Sequence, residues 1–199
     1  MRIAVTGTPG TGKTSATELL PDRFGDRGVD LGSVATDGEI RAELSSGRNR
    51  LSTDGVCHLN DLLESESLYT DVDEDRDSVI ADLDALEAAV DDRAPLVVES
   101  HLSHHLQADR VVVLRCEPTE LERRLRDRGE SAAKARENAE SEALDVILAE
   151  AVEIHGRDAV YEIDTTDIDP VSVADRIADV VVGKRDPSAG TVDFVGYLG

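Results

Sequence analysis

Near its start the chain reads Gly7-Thr8-Pro9-Gly10-Thr11-Gly12-Lys13-Thr14, which fits the pattern G-x-x-x-x-G-K-[ST]. The apolar run Ile3-Ala4-Val5 stands directly before it, as a buried strand would. A loop of this pattern turns its backbone N–H groups inward around phosphate oxygens, and glycine is needed where a Cβ would block the turn. The sequence therefore predicts a phosphate-binding P-loop between a strand and a helix.

The residue types inside the loop indicate a nucleoside triphosphate with Mg²⁺. Gly10 and Gly12 let the backbone approach the phosphates, and Lys13 supplies a positive charge for the β and γ phosphates. The Thr14 hydroxyl can ligate Mg²⁺, and a helix starting near Lys13 points its positive end at the same phosphates. A Gly-rich turn that matches by chance is the alternative, and the flanking strand and helix favour the nucleotide site.

Composition bounds the chain to one acidic α/β domain. Its 199 residues carry 43 Asp and Glu against 21 Lys and Arg, a net charge of −22. Such a surface repels bare nucleic acid and anionic membranes, so we expect no direct nucleic-acid binding and no membrane association. The acidic residues are spread along the chain, which suggests adaptation to a high-salt cytoplasm. Disorder is the alternative, and 40% hydrophobic residues in periodic segments argue against it.

Targeting and thiol chemistry also point to the cytoplasm. Cys57 and Cys116 have no metal-ligand spacing, so we interpret them as packing residues in a reducing compartment. The start of the chain leads directly into a strand without a signal-peptide pattern, and no apolar stretch is long enough to span a membrane.

Hydrophobic patterning predicts a doubly wound parallel sheet of the P-loop NTPase type, with the active site at the carboxyl ends of its strands. The five predicted strands are residues 3–5, 29–31, 96–99, 110–115 and 159–163. The predicted helices are residues 13–20, ended by Pro21, then 38–44, 56–63, 71–92, 119–127, 131–154 and 170–182. The last residues are expected to form a surface tail that packs Phe194 and Tyr197 back on the domain.

Glu99 is the candidate for the second half of a Mg²⁺ site. It ends an apolar strand, as a Walker-B-type carboxylate does, and would lie across from Thr14 to hold the metal through water. The alternative is an exposed acid at a strand end. His101 could contact the reacting phosphate or could be an ordinary loop residue. A metal centre with His104 and His105 is disfavoured, since no acidic or cysteine ligand accompanies them at a metal-site spacing.

Arginines are concentrated in residues 115–128, directly before Gly129. A charge run is usually a solvated helix face. Phosphoryl transfer, however, needs charge neutralisation and exclusion of water, which arginines on a closing lid supply. Arg128 at the glycine hinge is the first choice for such a lid arginine, with Arg124 and Arg136 in reserve.

Several ordered motifs together resemble one known family. Besides the P-loop they are Asp73-Glu74-Asp75-Arg76, Val97-Val98-Glu99-Ser100-His101, Val111-Val112-Val113-Leu114-Arg115-Cys116, Arg124-Leu125-Arg126-Asp127-Arg128-Gly129-Glu130-Ser131, Lys134, and Glu137-Asn138-Ala139-Glu140-Ser141-Glu142. They are similar to the archaeal and eukaryotic adenylate kinase family that also acts in small ribosomal subunit maturation, the adenylate kinase isoenzyme six type. The resemblance spans most of residues 1–182.

The resemblance implies a broad-specificity nucleoside monophosphate kinase that converts ATP and AMP to two ADP and also hydrolyses ATP. Its cofactors would be ATP and Mg²⁺, with Thr14 and Glu99 at the metal. The implied nucleotide contacts are Gly10, Gly12, Lys13, Thr14, Ser15 and the lid residue Arg128. Together with the two candidates that follow from the residues themselves, the predicted catalytic residues are Lys13, Glu99, His101 and Arg128.

The resemblance also implies a domain plan and a partner. Residues 1–183 would form the kinase domain, with a monophosphate-binding insertion at 32–69, a short lid at 128–138 and a tail at 184–199. The family engages a small-subunit ribosomal protein of the uS11 type during late maturation of 16S-type rRNA. This sequence has Glu99 where the family usually has Asp, and Thr36 where it has an arginine, so Arg41 would hold the acceptor phosphate.

Two alternatives stay open at this point. An ATP-driven ribosome assembly factor with little kinase turnover would use the same site, and Thr36 favours it. A P-loop kinase for a small metabolite would fit the fold, but the lid and residues 99–101 do not support it.

Overall fold

The computed structural model describes residues 1–27, 55–73 and 78–198. Its central sheet consists of five parallel strands: β1 (Ile3–Thr6), β2 (Val56–His58), β5 (Val97–Glu99), β6 (Arg110–Arg115) and β7 (Val160–Asp164). They lie in the order β2-β5-β1-β6-β7, so the strand that precedes the P-loop is central. A separate antiparallel hairpin joins β3 (Tyr69–Asp73) to β4 (Ser78–Ala81).

Helices connect the strands. They are α1 (Lys13–Thr17), α2 (Leu20–Asp26), α3 (Leu59–Glu66), α4 (Leu83–Arg93), α5 (Pro118–Asp127), α6 (Ala132–Ala143), α7 (Val146–His155) and α8 (Pro170–Val181). Short 3₁₀ segments cover Ser103–His105, Arg157–Ala159 and Val195–Leu198. Within the described part of the chain, no helix is both long and apolar enough to cross a membrane.

Helices cover both faces of the sheet. Alternate residues of each strand point to opposite sides, so each strand contributes to the clusters on both faces. Val5 belongs to the cluster that α1, α2 and α8 form on one face, which also buries Phe24 and Ile177. Ala4 lies in the cluster on the other face, against Ala151 of α7. Helices α3 and α4 pack on that second face beside β2 and β5. The predicted doubly wound α/β fold of the P-loop NTPase type is therefore confirmed.

One strand of the sheet comes from a segment that we predicted to be helical. Val56–His58 pairs in parallel with β5, and the helix begins only at Leu59, so the predicted helix 56–63 is wrong in its first three residues. The predicted strand 29–31 and the predicted helix 38–44 lie outside the described residues. The remaining predicted strands agree with β1, β5, β6 and β7 to within one residue.

The helix predicted over 71–92 is wrong in its first half. Its expected apolar face includes Val79 and Ile80, but these side chains lie on the hairpin and are 40% and 53% exposed. The helix starts at Leu83, because the Asp82 carboxylate caps it by accepting a hydrogen bond from the backbone N–H of Ala85 at 3.0 Å.

The helix predicted over 131–154 is divided between α6 and α7. Asp145 interrupts it with φ 57°, and its carboxylate accepts a hydrogen bond from Arg115. Leu144, expected in the buried stripe, is 59% exposed at this break. Pro21 was also misread as a helix end: it lies in the first turn of α2, where a missing N–H costs no hydrogen bond.

The chain terminus packs back on the domain as predicted. The Phe194 ring lies 5.5 Å from the Arg115 guanidinium carbon, and the Tyr197 hydroxyl donates to Glu122 Oε2 at 3.3 Å. Cys57 and Cys116 are free and buried, in agreement with their expected packing role. Burial raises the pKa of the Cys57 thiol to about 11.

Candidate active site

Three strand ends and the P-loop meet at one edge of the sheet. In the parallel register Val5 of β1 lies beside Glu99 of β5, and His58 of β2 lies beside Glu99 on the other side. The P-loop leaves β1 directly after this point, so its helix α1 begins next to the carboxylate of Glu99. The edge therefore collects a hydroxyl, a carboxylate and an imidazole around the loop.

The loop backbone has the conformation that its glycines allow. Gly10 and Gly12 have φ of 94° and 90°, in the left-handed region that disfavours other residues. A Cβ at Gly10 would lie 2.9 Å from Leu121 Cδ1 of α5, whereas one at Gly12 would meet no protein atom within 4 Å. Thr14 and Ser15 are exposed in the first turn of α1, which is five residues long and shorter than predicted.

The side chain of Lys13 lies inside the P-loop and bonds to its backbone. Its ammonium group donates to the carbonyl oxygens of Gly7 at 2.7 Å and Thr8 at 3.1 Å, and the residue is only 8% exposed. Burial lowers the pKa of Lys13 to about 8, although the carboxylates of Glu99 and Glu142 act in the opposite direction. The amine therefore carries its charge near pH 7.

Glu99 connects Thr14 to His58. The Thr14 hydroxyl donates to Glu99 Oε2 at 3.2 Å, and His58 Nδ1 lies 2.7 Å from the same oxygen. A carboxylate only accepts, so His58 carries its proton on Nδ1, and this hydrogen bond raises the pKa of His58. Threonine hydroxyl and carboxylate oxygens are hard ligands that suit Mg²⁺, so this pair fits the expected metal position.

His101 and Arg128 border the same region. Desolvation by the surrounding protein is the larger cause that lowers the pKa of His101, although the residue is exposed. The charge of Lys13 lowers this pKa further. Arg128 is the exposed C-cap of α5, directly before Gly129, and its charge also lowers the pKa of Lys13. Both predicted residues are thus within electrostatic range of Lys13.

The two reserve arginines are engaged elsewhere. Arg124 donates to the carbonyl oxygens of Thr165 at 3.0 Å and Thr166 at 2.7 Å, so it fixes the turn after β7. Arg136 pairs with Glu140 at 2.8 Å on the exposed side of α6. Arg128 is the better lid candidate of the three.

Comparison with known proteins places the chain in a family. A sequence model described as an AAA domain matches residues 3–145. Proteins named "Putative adenylate kinase" from Natronomonas pharaonis and Halobacterium salinarum are 51% and 50% identical, each over 100% of both chains. A protein of the same name from Methanocaldococcus jannaschii is 33% identical and covers 98% of this chain and 93% of its own. The chain belongs to this adenylate kinase family.

Family membership supports a nucleotide kinase, a phosphotransferase built on a P-loop fold. Kinases of this fold use ATP, usually with Mg²⁺, and an adenylate kinase takes AMP or another nucleotide as its second substrate. In the present chain the three predicted residues lie together: the Thr14 hydroxyl donates to Glu99, and the charge of Glu99 acts on Lys13.

Sequence reasoning missed His58. It was assigned to a helix, yet it ends the apolar run Val56-Cys57 as Glu99 ends Val97-Val98, and this parallel could have revealed a second strand end. Glu142 was also missed, although its Oε2 accepts a hydrogen bond from the hydroxyl of Thr8 in the P-loop. Nothing local distinguishes Glu142 from the other acids of α6.

The histidine cluster has an acidic neighbour that the spacing did not reveal. Ligand atoms of His104, His105 and Glu150 lie within 4.8 Å of one another, and Glu150 comes from α7. Both ring nitrogens of His104 already have partners, Thr6 Oγ1 at 2.9 Å and Glu150 Oε2 at 3.1 Å. This satisfied, buried imidazole is explained by packing of the 3₁₀ segment against α7.

Proposed function

We propose that the chain transfers the γ-phosphoryl group of ATP to AMP or another nucleoside monophosphate, which gives two nucleoside diphosphates. The observation that carries this proposal is the contact of Thr14 with Glu99 beside the buried Lys13. A P-loop lysine with a paired hydroxyl and carboxylate supplies the charge and positioning that phosphoryl transfer needs. The names of the relatives support the adenylate class of acceptor.

Each side chain has a role in this proposal. The loop backbone around Gly10, Gly12 and Ser15 binds the phosphate oxygens of ATP, and Lys13 neutralises the β and γ phosphates. Arg128 on the lid adds positive charge as the transferring group separates from ADP. His101 borders the reacting phosphate. The reaction needs no covalent enzyme intermediate, so positioning and charge account for the rate.

The Thr14 hydroxyl and the Glu99 carboxylate would hold Mg²⁺. The ion supplies neutralisation of phosphate charge when it is bound. The residues fit this use because Thr14 is exposed to the site, while Glu99 is 5% exposed and fixed by His58 at 2.7 Å. A fixed carboxylate loses little freedom when it binds a cation.

The domain plan is part of the proposal. Residues 1–183 form the kinase domain, 128–138 its lid and 184–199 a tail. The monophosphate insertion at 32–69 lies in large part outside the described residues, and so does Arg41, the proposed ligand of the acceptor phosphate. The net charge of −22 favours a high-salt cytoplasm, where screening reduces repulsion within the protein.

A turnover assay at molar KCl tests the kinase activity. We expect ADP to form from ATP plus AMP at twice the rate of ATP loss, and Lys13→Met to abolish it. Lys184→Met is the matched control, because this lysine is exposed and lies in the proposed tail rather than in the kinase domain. ADP formation that does not depend on any monophosphate would contradict the kinase proposal and leave an ATPase.

Thr36 favours a second candidate function, because an acceptor site without the family arginine suits ATP hydrolysis better than monophosphate transfer. In this candidate the ATP cycle releases a ribosomal protein of the uS11 type during 16S rRNA maturation. A pull-down with purified small-subunit proteins, with and without ATP, separates the two. A nucleotide-dependent partner supports the assembly role, and nucleotide-independent or absent binding contradicts it.

A further inference from the structure

A buried ionic cluster lies behind the P-loop, and we call its four members the Arg115 cluster: Arg115, Glu142, Asp145 and Glu162. The Arg115 guanidinium, at the end of β6, has a side-chain exposure of 1%, and those of Glu142 and Glu162 are 3% and 0%. Arg115 Nε donates to Glu142 Oε1 at 2.7 Å, and Nη1 donates to Glu162 Oε1 at 2.5 Å. Nη2 donates to Asp145 at the start of α7.

Burying these charges is costly, so their partners matter. Glu142 Oε1 also accepts from the backbone N–H of Cys116 at 3.1 Å, and Glu162 Oε2 accepts from the N–H of Thr191 at 2.7 Å. The tail that provides Thr191 continues to Phe194, whose ring covers Arg115. Arg115, Glu142 and Glu162 are each held by more than one element, whereas the carboxylate of Asp145 contacts Arg115 and is 39% exposed.

The remaining oxygen of Glu142 reaches the P-loop. Glu142 Oε2 accepts from the hydroxyl of Thr8, a residue that is 2% exposed. The carbonyl of Thr8 in turn accepts from Lys13 Nζ at 3.1 Å and from the Thr11 hydroxyl at 2.9 Å. Thr8 is thus fixed at its side chain by α6 and at its backbone by the loop.

We propose that Glu142 is a positioning residue that holds the P-loop in its nucleotide-binding shape through Thr8. The proposal rests on the proposed function, because it assumes that the loop binds ATP. Glu142 lies near the end of α6, the helix that follows the lid hinge Gly129, so the same hydrogen bond ties the lid helix to the loop. A loop that is already ordered loses less freedom when ATP binds, and this gain appears in affinity more than in the chemical step.

Substitutions at Thr8 isolate the hydrogen bond. Thr8→Val keeps the shape of the side chain and removes the hydroxyl, and Thr8→Ser keeps the hydroxyl. We expect Thr8→Val to weaken ATP binding about tenfold, the scale of one charge-assisted hydrogen bond, with a much smaller change in kcat. Thr8→Ser should recover most of that loss. A general loss of structure would not separate these two variants.

Glu142→Gln tests the other partner, with Glu140→Gln as a matched control on the exposed side of α6, where Glu140 pairs with Arg136. Glu142→Gln should also weaken ATP binding, because it replaces the charged acceptor of the Thr8 hydroxyl by a neutral amide. Combining it with Thr8→Val should weaken binding by less than the sum of the two single losses, because both changes alter the same contact. If Glu142→Gln fails to fold, because the Arg115 cluster has lost a charge, the two Thr8 variants still decide the question.

The measurements are the Kd for a fluorescent ATP analogue at molar KCl, the KM for ATP, kcat and the unfolding midpoint. Equal affinity of Thr8→Val and wild-type protein would overturn the proposal, and so would an equal loss in Thr8→Val and Thr8→Ser. Wild-type protein that binds no ATP would instead overturn the proposed function. The two failures are therefore distinguishable.

Discussion

The hydroxyl of Thr14 donates to the carboxylate of Glu99 at 3.2 Å, although 85 residues separate them in the chain. The contact follows from the parallel register, which sets Val5 beside Glu99 and so brings the P-loop helix over the end of the neighbouring strand. Thr14 is exposed while Glu99 is buried, so the pair presents one ligand to solvent and fixes the other in the protein. Under the proposed function, this pair would hold Mg²⁺ with little loss of freedom at the carboxylate.

Replacing Glu99 by Gln should lower kcat and weaken the response to Mg²⁺. Glutamine keeps the shape but removes the charge, and loss of such metal-supporting groups typically costs about 10- to 100-fold. The measurement is kcat as a function of Mg²⁺ concentration. Glu153→Gln, at an exposed carboxylate of α7, is the control and should follow the wild-type curve. An unchanged Mg²⁺ dependence in Glu99→Gln would remove Glu99 from the metal site.

His58 should act through Glu99, because its Nδ1 lies 2.7 Å from Glu99 Oε2. His58→Ala frees the carboxylate to rotate, and we expect kcat to fall about tenfold. His58→Asn places an amide N–H near the position of Nδ1 and should retain most of the activity. Steady-state rates at saturating Mg²⁺ compare the variants. Equal losses in both would mean that the imidazole itself, rather than its hydrogen bond, is required.

Arg128 should support the transferring phosphoryl group from the lid. Its charge already lowers the pKa of Lys13, so the two cations are close enough to interact electrostatically. Arg128→Ala is expected to reduce kcat by about 100-fold or more, as loss of an arginine at the transferring phosphate does in other phosphotransferases. Arg126→Ala is the control, since Arg126 pairs with Glu122 at 3.3 Å on the surface of α5. Similar rates in the two variants would exclude a lid role.

Much of the fold could be predicted from the sequence because its strands are apolar runs. Val111-Val112-Val113-Leu114 is buried on both faces of the sheet, and such a run has few other interpretations. The P-loop was recognisable because its glycines are fixed by backbone geometry. Glu99 could be singled out because it is the one acid that ends the apolar run of its strand.

The missed features depend on contacts between distant segments. Val56–His58 is only three residues long, and its pairing with β5 rather than its own pattern makes it a strand. The break before α7 depends on Asp145, whose carboxylate bonds Arg115 from 30 residues away. Glu142 stands among other acids of α6, and only the folded chain reveals its contact with Thr8. Periodicity cannot report such contacts.

His104 should make the fold acid-sensitive. Its side chain is 1% exposed, and burial together with the nearby His105 lowers its pKa from 6.5 to about 4. The charged or titratable groups that face it are His105, Glu150 and His155. Between pH 6.5 and about 4 the unfolded chain binds a proton at this position that the folded chain excludes, so stability falls as the pH falls through this window.

Comparison with His104→Asn isolates this contribution from that of the many carboxylates. Asparagine can keep the hydrogen bond to Thr6 and does not titrate. Between pH 7 and 5 the wild-type free energy of unfolding should fall by about 2 kcal/mol more than that of the variant. Urea unfolding at molar KCl measures both. Parallel pH profiles would show that the pKa of His104 is the same in the folded and the unfolded chain, and the burial argument would then fail.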